Sequence, residues 1–144
     1  MQKVRRVIGT TEEAIARAES QLPHPLPSAF REWLKQNNGL GLKSVTMFPV
    51  LDDRDPRKTW DSIVRQFGQW KSYAETIDAP AHITSNLLPF AEYGTGDYYC
   101  FEYRPASQEP AVVRWSHETG ETEPRATSFS EFIAKLASGE FELD

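Results

Sequence analysis

The sequence is almost devoid of cysteine. Cys100 is the single one among 144 residues, so the chain can form neither an internal disulfide nor a CxxC metal site. This usage suits a reducing compartment, because small extracellular domains are commonly rich in disulfides. A chain of this length can bury roughly 68–70% of its unfolded surface, so it needs no disulfide or metal to fold.

Long apolar runs are also missing. No stretch approaches the roughly 18 apolar residues of a membrane-spanning helix. The basic start, residues 1–6, is followed by Glu12 and Glu13 and not by the apolar core of a signal peptide. We therefore expect no signal peptide, no membrane partner and a cytoplasmic location.

Positive charge is in short supply. The 21 acidic residues outnumber the 16 basic ones and give a net charge of −5. Nucleic-acid binding depends on Lys and Arg that neutralise phosphates, so this balance argues against a nucleic-acid partner. A basic protein partner fits the same balance, and so does a domain whose mild charge only keeps it soluble.

The patterns that mark catalytic sites are scarce as well. No Gly-x-Ser-x-Gly elbow occurs, and Gly94-Thr95-Gly96 lacks the GKS or GKT ending of a phosphate loop. His24, His82 and His117 are scattered. Cys100 lies in a Tyr-Tyr-Cys-Phe run, which is typical of a buried strand and not of an activated nucleophile. We predict no catalytic residue and no cofactor, and we expect that the protein is not an enzyme.

One carboxylate cluster, Asp52, Asp53 and Asp55, has the chemistry to bind Mg²⁺ or Ca²⁺. Asp55 is better explained as a helix cap before Pro56, and the spacing of an EF-hand loop is absent. The pattern therefore favours no metal site.

Helix signals occur in four places. Thr10 and Glu13 have capping-box spacing and predict the first helix. Pro27 predicts the first residue of a second helix, which Asn37-Asn38-Gly39 ends. The last helix is predicted to begin near Ser128, where Glu131 repeats the capping-box spacing, and to close at Gly139.

The remaining helix signal predicts one long helix. It begins at Asp55-Pro56, and Trp60, Ile63, Val64 and Phe67 open its apolar stripe. Gly68 falls within it, at a cost of roughly 1 kcal/mol, and the sequence leaves open whether it interrupts the helix.

Strands fill the intervals between the helices. Residues 45–50 predict a short strand, 87–91 and 98–103 predict a hairpin around the Gly94–Asp97 turn, and 111–115 predict a further strand. Pro89 should lie at a strand start or a bulge, because it lacks a ladder donor. Residues 117–124 are predicted to be a polar loop. Short connections favour a single α+β domain, residues 1–144, with a central, mostly antiparallel sheet packed with helices.

Taken together, the motifs resemble the SMI1/KNR4 (SUKH) family. Leu26-Pro27, the helix after it and Asn38-Gly39 are similar to the first signature of that family. Leu88-Pro89-Phe90-Ala91 and Gly96-Asp97 with Tyr98-Tyr99-Cys100-Phe101 are similar to the second. The strand at Pro110–Trp115 and the closing helix at Phe129–Ile133 follow in the same order.

The resemblance implies a function as well as a fold. Many bacterial members look like immunity proteins that bind and neutralise toxins, often nucleases. We therefore predict a cognate toxin, basic in charge, as the partner. The alternative is a general interaction or regulatory module without a toxin partner.

A candidate contact surface follows from the acidic balance. Carboxylates near strand ends and the hairpin tip would meet Lys or Arg of the partner, and an aromatic ring would anchor the contact. The candidate partner-binding residues are Asp52, Asp53, Glu92, Tyr93, Asp97 and Glu102.

Overall fold

The computed structural model of the protein describes residues 9–39, 41–42, 45–94, 96–104 and 109–139. Both chain ends and Thr95 of the predicted turn lie outside these residues. The helices in this part of the chain are Glu12–Glu19 (α1), Ser28–Asn37 (α2), Pro56–Thr59 (α3), Ile63–Thr76 (α4), Ala81–Thr84 (α5) and Phe129–Ala137 (α6). The strands are Gly41–Leu42 (β1), Val45–Met47 (β2), Leu87–Tyr93 (β3), Tyr98–Glu102 (β4), Ala111–Trp115 (β5) and Thr122–Ala126 (β6).

The strands form one sheet in the order β1-β2-β3-β4-β5-β6, and every neighbouring pair is antiparallel. The prediction of an α+β fold with a central antiparallel sheet is confirmed. The register of β3 against β4 shifts between Pro89 and Ala91, so Pro89 lies at a bulge as predicted. Phe90 is the residue without a partner in β4, and a proline is tolerated beside it because a bulge disrupts the hydrogen-bond ladder locally.

Both faces of the central strands are covered by helices. Tyr99 and Phe101 of β4 belong to the larger core, which also holds buried residues of α1, α2 and α6. Cys100, between them, points to the other face and belongs to a second core with Trp70 of α4. This two-sided burial explains why neither central strand alternates between apolar and polar residues.

Aromatic rings build the centre of the larger core. Phe90 of β3 stacks on Phe101 of β4 with a centroid distance of 4.1 Å, and Phe30 of α2 meets Phe101 edge-on at 5.4 Å. Phe129 and Phe132 of α6 lie edge-on against Phe90 at 5.8 and 5.6 Å. A helix on this face is fixed in place by such contacts, each worth about 0.5–1.5 kcal/mol beyond its buried area.

The ends of two predicted helices are confirmed in detail. Ser128 caps α6 through a 3.1 Å hydrogen bond from the Glu131 N–H to its hydroxyl. Gly39, just beyond the end of α2, has a φ of +90°, a conformation that glycine adopts without strain. Helix α1 begins one residue later than predicted, because Thr11 and not Thr10 accepts the capping bond, from the Ala14 N–H at 3.2 Å.

The predicted long helix is wrong as a single element. Asp55 caps the short helix α3 and Ser62 caps α4, so the chain breaks at residues 60–62. A serine that accepts the Arg65 N–H competes with the helical continuation there. Gly68 lies inside α4 and does not interrupt it.

The predicted polar loop at 117–124 is also wrong in its second half. Residues from Thr122 onward form β6, which pairs with β5 and lies at the edge of the sheet. Its Thr-Glu-Pro-Arg-Ala sequence is too polar to signal a strand, but an edge strand with one neighbour tolerates both charge and proline. The predicted strand at 45–50 is shorter than expected and ends at Met47.

Candidate partner-binding surface

Two turns lie side by side at one end of the sheet. The first, between β3 and β4, includes Gly94, Gly96 and Asp97, and the second, between β5 and β6, spans residues 116–121. Gly96 has a φ of +101°, and a Cβ added to it would lie 3.6 Å from His117 Nδ1. We call these two turns, with the strand residues that enter them, the turn end.

Asp97 holds the two turns together. Its Oδ1 accepts hydrogen bonds from the His117 backbone N–H at 3.0 Å and from His117 Nδ1 at 2.5 Å. Its Oδ2 accepts one from Arg114 Nε at 2.9 Å. The Asp97 side chain is 13% exposed, so these bonds are largely shielded from water. Asp97 is therefore primarily a crosslink between hairpins.

The environment of Asp97 favours its charged form. Burial alone would raise the pKa of the carboxyl, but the His117 N–H, the His117 ring and Arg114 lower it below its usual range. The carboxylate is consequently ionised at neutral pH and brings a fixed negative charge to the turn end.

Glu92 and Tyr93 end β3 beside this crosslink. Glu92 is half-buried and lies opposite Thr46 of β2 and Tyr98 of β4. Burial, and after it the charge of Glu92, raises the pKa of Tyr98. Tyr93 is buried, and Arg114 Cζ lies 4.9 Å from the centroid of its ring. Tyr93 therefore supports Arg114 from inside and exposes little of its ring.

The turn between β5 and β6 adds acidic residues that the sequence did not single out. Glu118 and Glu121 are exposed, and Ser116 Oγ fixes this turn by accepting the Glu118 N–H at 3.1 Å. A polar cleft of about 360 Å³ lies beside this second turn, and its lining includes Asp97, Arg114, Ser116, Thr119, Glu121 and Glu123. The glutamates were missed because residues 117–124 gave no periodic signal.

Asp52 lies far from the turn end along the chain. Strand β2 begins opposite Tyr93 and runs away from the turns, and Asp52 follows its end. Only 3% of Asp52 is exposed, and its oxygens accept hydrogen bonds from Thr10 Oγ1 at 2.8 Å and from Arg54 Nη2 at 2.7 Å. The Arg54 guanidinium holds the pKa of this carboxyl well below its usual range, against the raising effect of burial. Asp52 thus ties the start of α1 to the segment after β2.

The two remaining predicted contacts, Asp53 and Glu102, have partners outside the turn end. Asp53 is exposed, with Oδ2 3.9 Å from Arg17 Nη1. Glu102 is half-buried at the far end of β4, four residues or about 13 Å beyond Tyr98, and accepts a 3.1 Å hydrogen bond from Arg104 Nε. Of the six predicted residues, the structure brings only Glu92, Tyr93 and Asp97 together.

The sequence of the chain also matches the model of a known protein family. The family model described as SMI1 / KNR4 family (SUKH-1) matches residues 9–135, which is most of the chain. The chain belongs to the SMI1/KNR4 family. No curated protein matches its sequence. Membership of the SMI1/KNR4 family supports an immunity-protein type of role in general.

The SMI1/KNR4 signatures correspond to structural residues. Asn38 is buried after α2, where its Nδ2 donates to the Val50 carbonyl at 2.9 Å and its Oδ1 accepts the Val50 N–H at 2.8 Å. Phe90 and Phe101 of the second signature stack in the core. The residues that resemble the family signatures therefore build the scaffold of this chain, and they leave the exposed side chains as the candidates for partner contacts.

The cysteine in the second SMI1/KNR4 signature is part of the core. Cys100 is fully buried, and burial raises the pKa of its thiol well above the usual value. A thiol in this state is a poor nucleophile at neutral pH. Within the described ranges no group of three or more His, Cys, Asp or Glu side chains is placed to hold a metal ion. No helix in that part of the chain is long and apolar enough to cross a membrane.

Trp60 and Leu51 are the second feature that the sequence did not reveal. The sequence predicts that Trp60 belongs to the apolar stripe of a long helix, but the break before α4 leaves it 59% exposed, and Leu51 is 42% exposed. Trp60 and Ile63 have the i, i+3 spacing of a continuous helix although the chain breaks between them, so the apolar pattern does not reveal the break. Ser62, a favourable cap residue, was the available signal for a new helix start.

Proposed function

We propose that the protein is a cytoplasmic immunity protein that binds a cognate toxin and neutralises it by protein–protein contact. The observation that carries this proposal is the match of residues 9–135 to the SMI1/KNR4 family. A basic, nuclease-type toxin is the partner we favour, because the chain has a net charge of −5. A basic substrate-binding surface on the toxin would be covered by acidic groups of the inhibitor.

We assign the principal contact to the turn end. Glu118 and Glu121 are exposed there, Glu92 is half-buried, and Asp97 is held ionised between them by the crosslink. Arg114 is the nearby cation and is already paired with Asp97. Complementary charges steer a partner to such a surface and speed association more than they add affinity.

The other predicted residues have different places in this proposal. Asp53 and Glu102 are accessible but lie away from the turn end, so they remain predicted as secondary contacts. Asp52 and Tyr93 are buried and would act by positioning Arg54 and Arg114 respectively. Recognition would thus come from the rim of the hairpins and not from their buried rings.

Co-expression with the neighbouring toxin tests this function. The C-terminal domain of a toxin encoded immediately upstream is induced in cells with and without the protein, and survival is counted. We expect survival only when the protein is present. Equal killing in both cultures, with the protein recovered folded from the cells, would contradict the immunity role and favour a general interaction module.

A further inference from the structure

A shallow groove of about 340 Å³ lies between α1 and the start of α4. It shares no residue with the cleft of the turn end. We call it the Trp60 groove, and its main lining residues are Ala14, Arg17, Leu51, Trp60, Val64 and Arg65.

Exposed apolar side chains distinguish this groove from the rest of the described surface. Trp60 and Leu51 are two of the three large hydrophobic residues that are exposed within the described ranges, the third being Tyr73. Tyr73 has a structural partner, because its hydroxyl donates to the His117 carbonyl. An exposed tryptophan beside a second apolar side chain and a groove is typical of an interface anchor.

The charges in the groove have the sign opposite to that of the whole protein. Arg17 and Arg65 are the charged residues that line it, whereas the chain as a whole carries a net charge of −5. Arg65 Cζ lies 4.0 Å from the Trp60 ring centroid, so the guanidinium and the indole form one continuous surface.

Both arginines retain capacity to bind an anion. Arg65 Nε lies 3.3 Å from Asp61 Oδ1, and the two side chains are 41% and 55% exposed. Arg17 approaches Asp53 only at 3.9 Å, with both side chains largely in water. Exposed pairs of this kind contribute little and are readily exchanged for another carboxylate.

We propose that the Trp60 groove is a second interaction surface, which docks a segment of a protein partner carrying an apolar side chain next to Asp or Glu. The apolar side chain would lie against Trp60 and Leu51. The carboxylate would meet the fork of donors on Arg65 or Arg17, a geometry that guanidinium groups favour. A cationic segment would instead face two like charges. This surface therefore goes beyond the proposed contact with a basic toxin.

A pair of small probes tests the charge and the location together. 3-Phenylpropionate carries an aromatic ring and a carboxylate, and 3-phenylpropylamine carries the same ring with an ammonium group. Each is titrated into the isotope-labelled protein while the indole Nε1–H signal of Trp60, assigned with Trp60→Phe, and the Leu51 methyl signals are followed by NMR. We expect saturable shifts of both residues with the carboxylate, in the millimolar range for a ligand of this size.

Variants of the two arginines complete the test. The Arg17→Gln/Arg65→Gln double variant is expected to bind 3-phenylpropionate about three- to tenfold more weakly, since two exposed charge contacts are lost. Lys71→Gln, on the exposed side of α4, is the matched control and should bind normally. Equal binding of both probes, no shift at Trp60 or Leu51, or unchanged binding by the double variant would overturn the proposal. No toxin is used, so this outcome is independent of the immunity role.

Discussion

The turn end and the Trp60 groove differ in what holds their side chains in place. At the turn end, Asp97 connects Arg114 and His117, so one charge of the proposed contact surface is also part of the fold. In the groove, the Arg65 guanidinium lies over the Trp60 ring, and Trp60 is 59% exposed. We therefore expect folding stability and the proposed partner recognition to be coupled at the turn end through Asp97, and separable in the Trp60 groove.

Among the changes at the turn end and at Asp52, Asp97→Asn should destabilise the protein most. The substitution leaves Arg114 largely buried without its counter-charge and weakens the bonds to His117. Breaking a buried charge pair costs about 3–5 kcal/mol, and we expect the free energy of unfolding in urea to fall by that amount.

Glu118→Gln, in the same region, is the matched control for Asp97→Asn. Glu118 is exposed, so its loss should change the unfolding free energy by no more than about 0.5 kcal/mol. If Asp97→Asn were equally mild, the crosslink would not couple charge to stability at the turn end.

Asp52→Asn should have an intermediate effect. Asp52 is buried, but its partner Arg54 is more than half exposed, and water can replace part of the lost interaction. We expect a loss of about 1–3 kcal/mol in the same urea measurement. A loss as small as that of Glu118→Gln would mean that the bonds to Thr10 and Arg54 do not stabilise the fold.

The two aspartates should also govern acid unfolding. Both have a folded-state pKa below the unfolded value of about 3.9. Their contribution is therefore complete above that value and is lost as the pH falls below it toward the folded pKa values. Thermal unfolding between pH 7 and pH 2 should show a steep loss of stability at the acid end. The slope should be shallower in Asp52→Asn/Asp97→Asn, and an unchanged slope would assign acid unfolding to other carboxyls.

Trp60→Ala should change stability least, by about 0.5 kcal/mol or less, because the side chain is mostly in water. Trp70→Ala is the informative contrast within the adjoining helix. Its buried indole packs edge-on against Trp115 at a centroid distance of 5.5 Å, and its removal should cost about 3–5 kcal/mol. A large loss with Trp60→Ala would make Trp60 a core residue and weaken its assignment to an interaction surface.

The regular parts of the fold were predictable because their signals are local. Ser128 and Glu131 mark the start of α6, and Gly39 marks the end of α2, through contacts a few residues apart. The bulge at Pro89 was predictable from that residue alone, because proline lacks the backbone N–H that the ladder needs. Strand β6 was not predictable in this way, because its pairing with β5, and not its own composition, makes it a strand.

The candidate site was less predictable because it depends on contacts between distant residues. In the sequence Asp52 has the pattern of a solvated loop residue, and only its hydrogen bond with Thr10, 42 positions away, shows that it is buried. Asp97 has the pattern of a turn residue, and its contact with His117, 20 positions away, is not visible in the sequence. The contact between Asp97 and His117 also brings the turn with Glu118 and Glu121 next to the first turn, and no local pattern encodes that proximity.

The rate at which the protein associates with the proposed toxin partner tests the central claim most directly. A catalytically inactive toxin domain is mixed with wild type, with Glu118→Gln/Glu121→Gln and with the control Glu13→Gln/Glu75→Gln, whose exposed carboxylates lie on α1 and α4. At low salt we expect association about tenfold slower for the turn-end variant, and a weaker dependence on salt, while the control matches wild type. Identical rates and salt dependence for all three proteins would contradict recognition through the turn end.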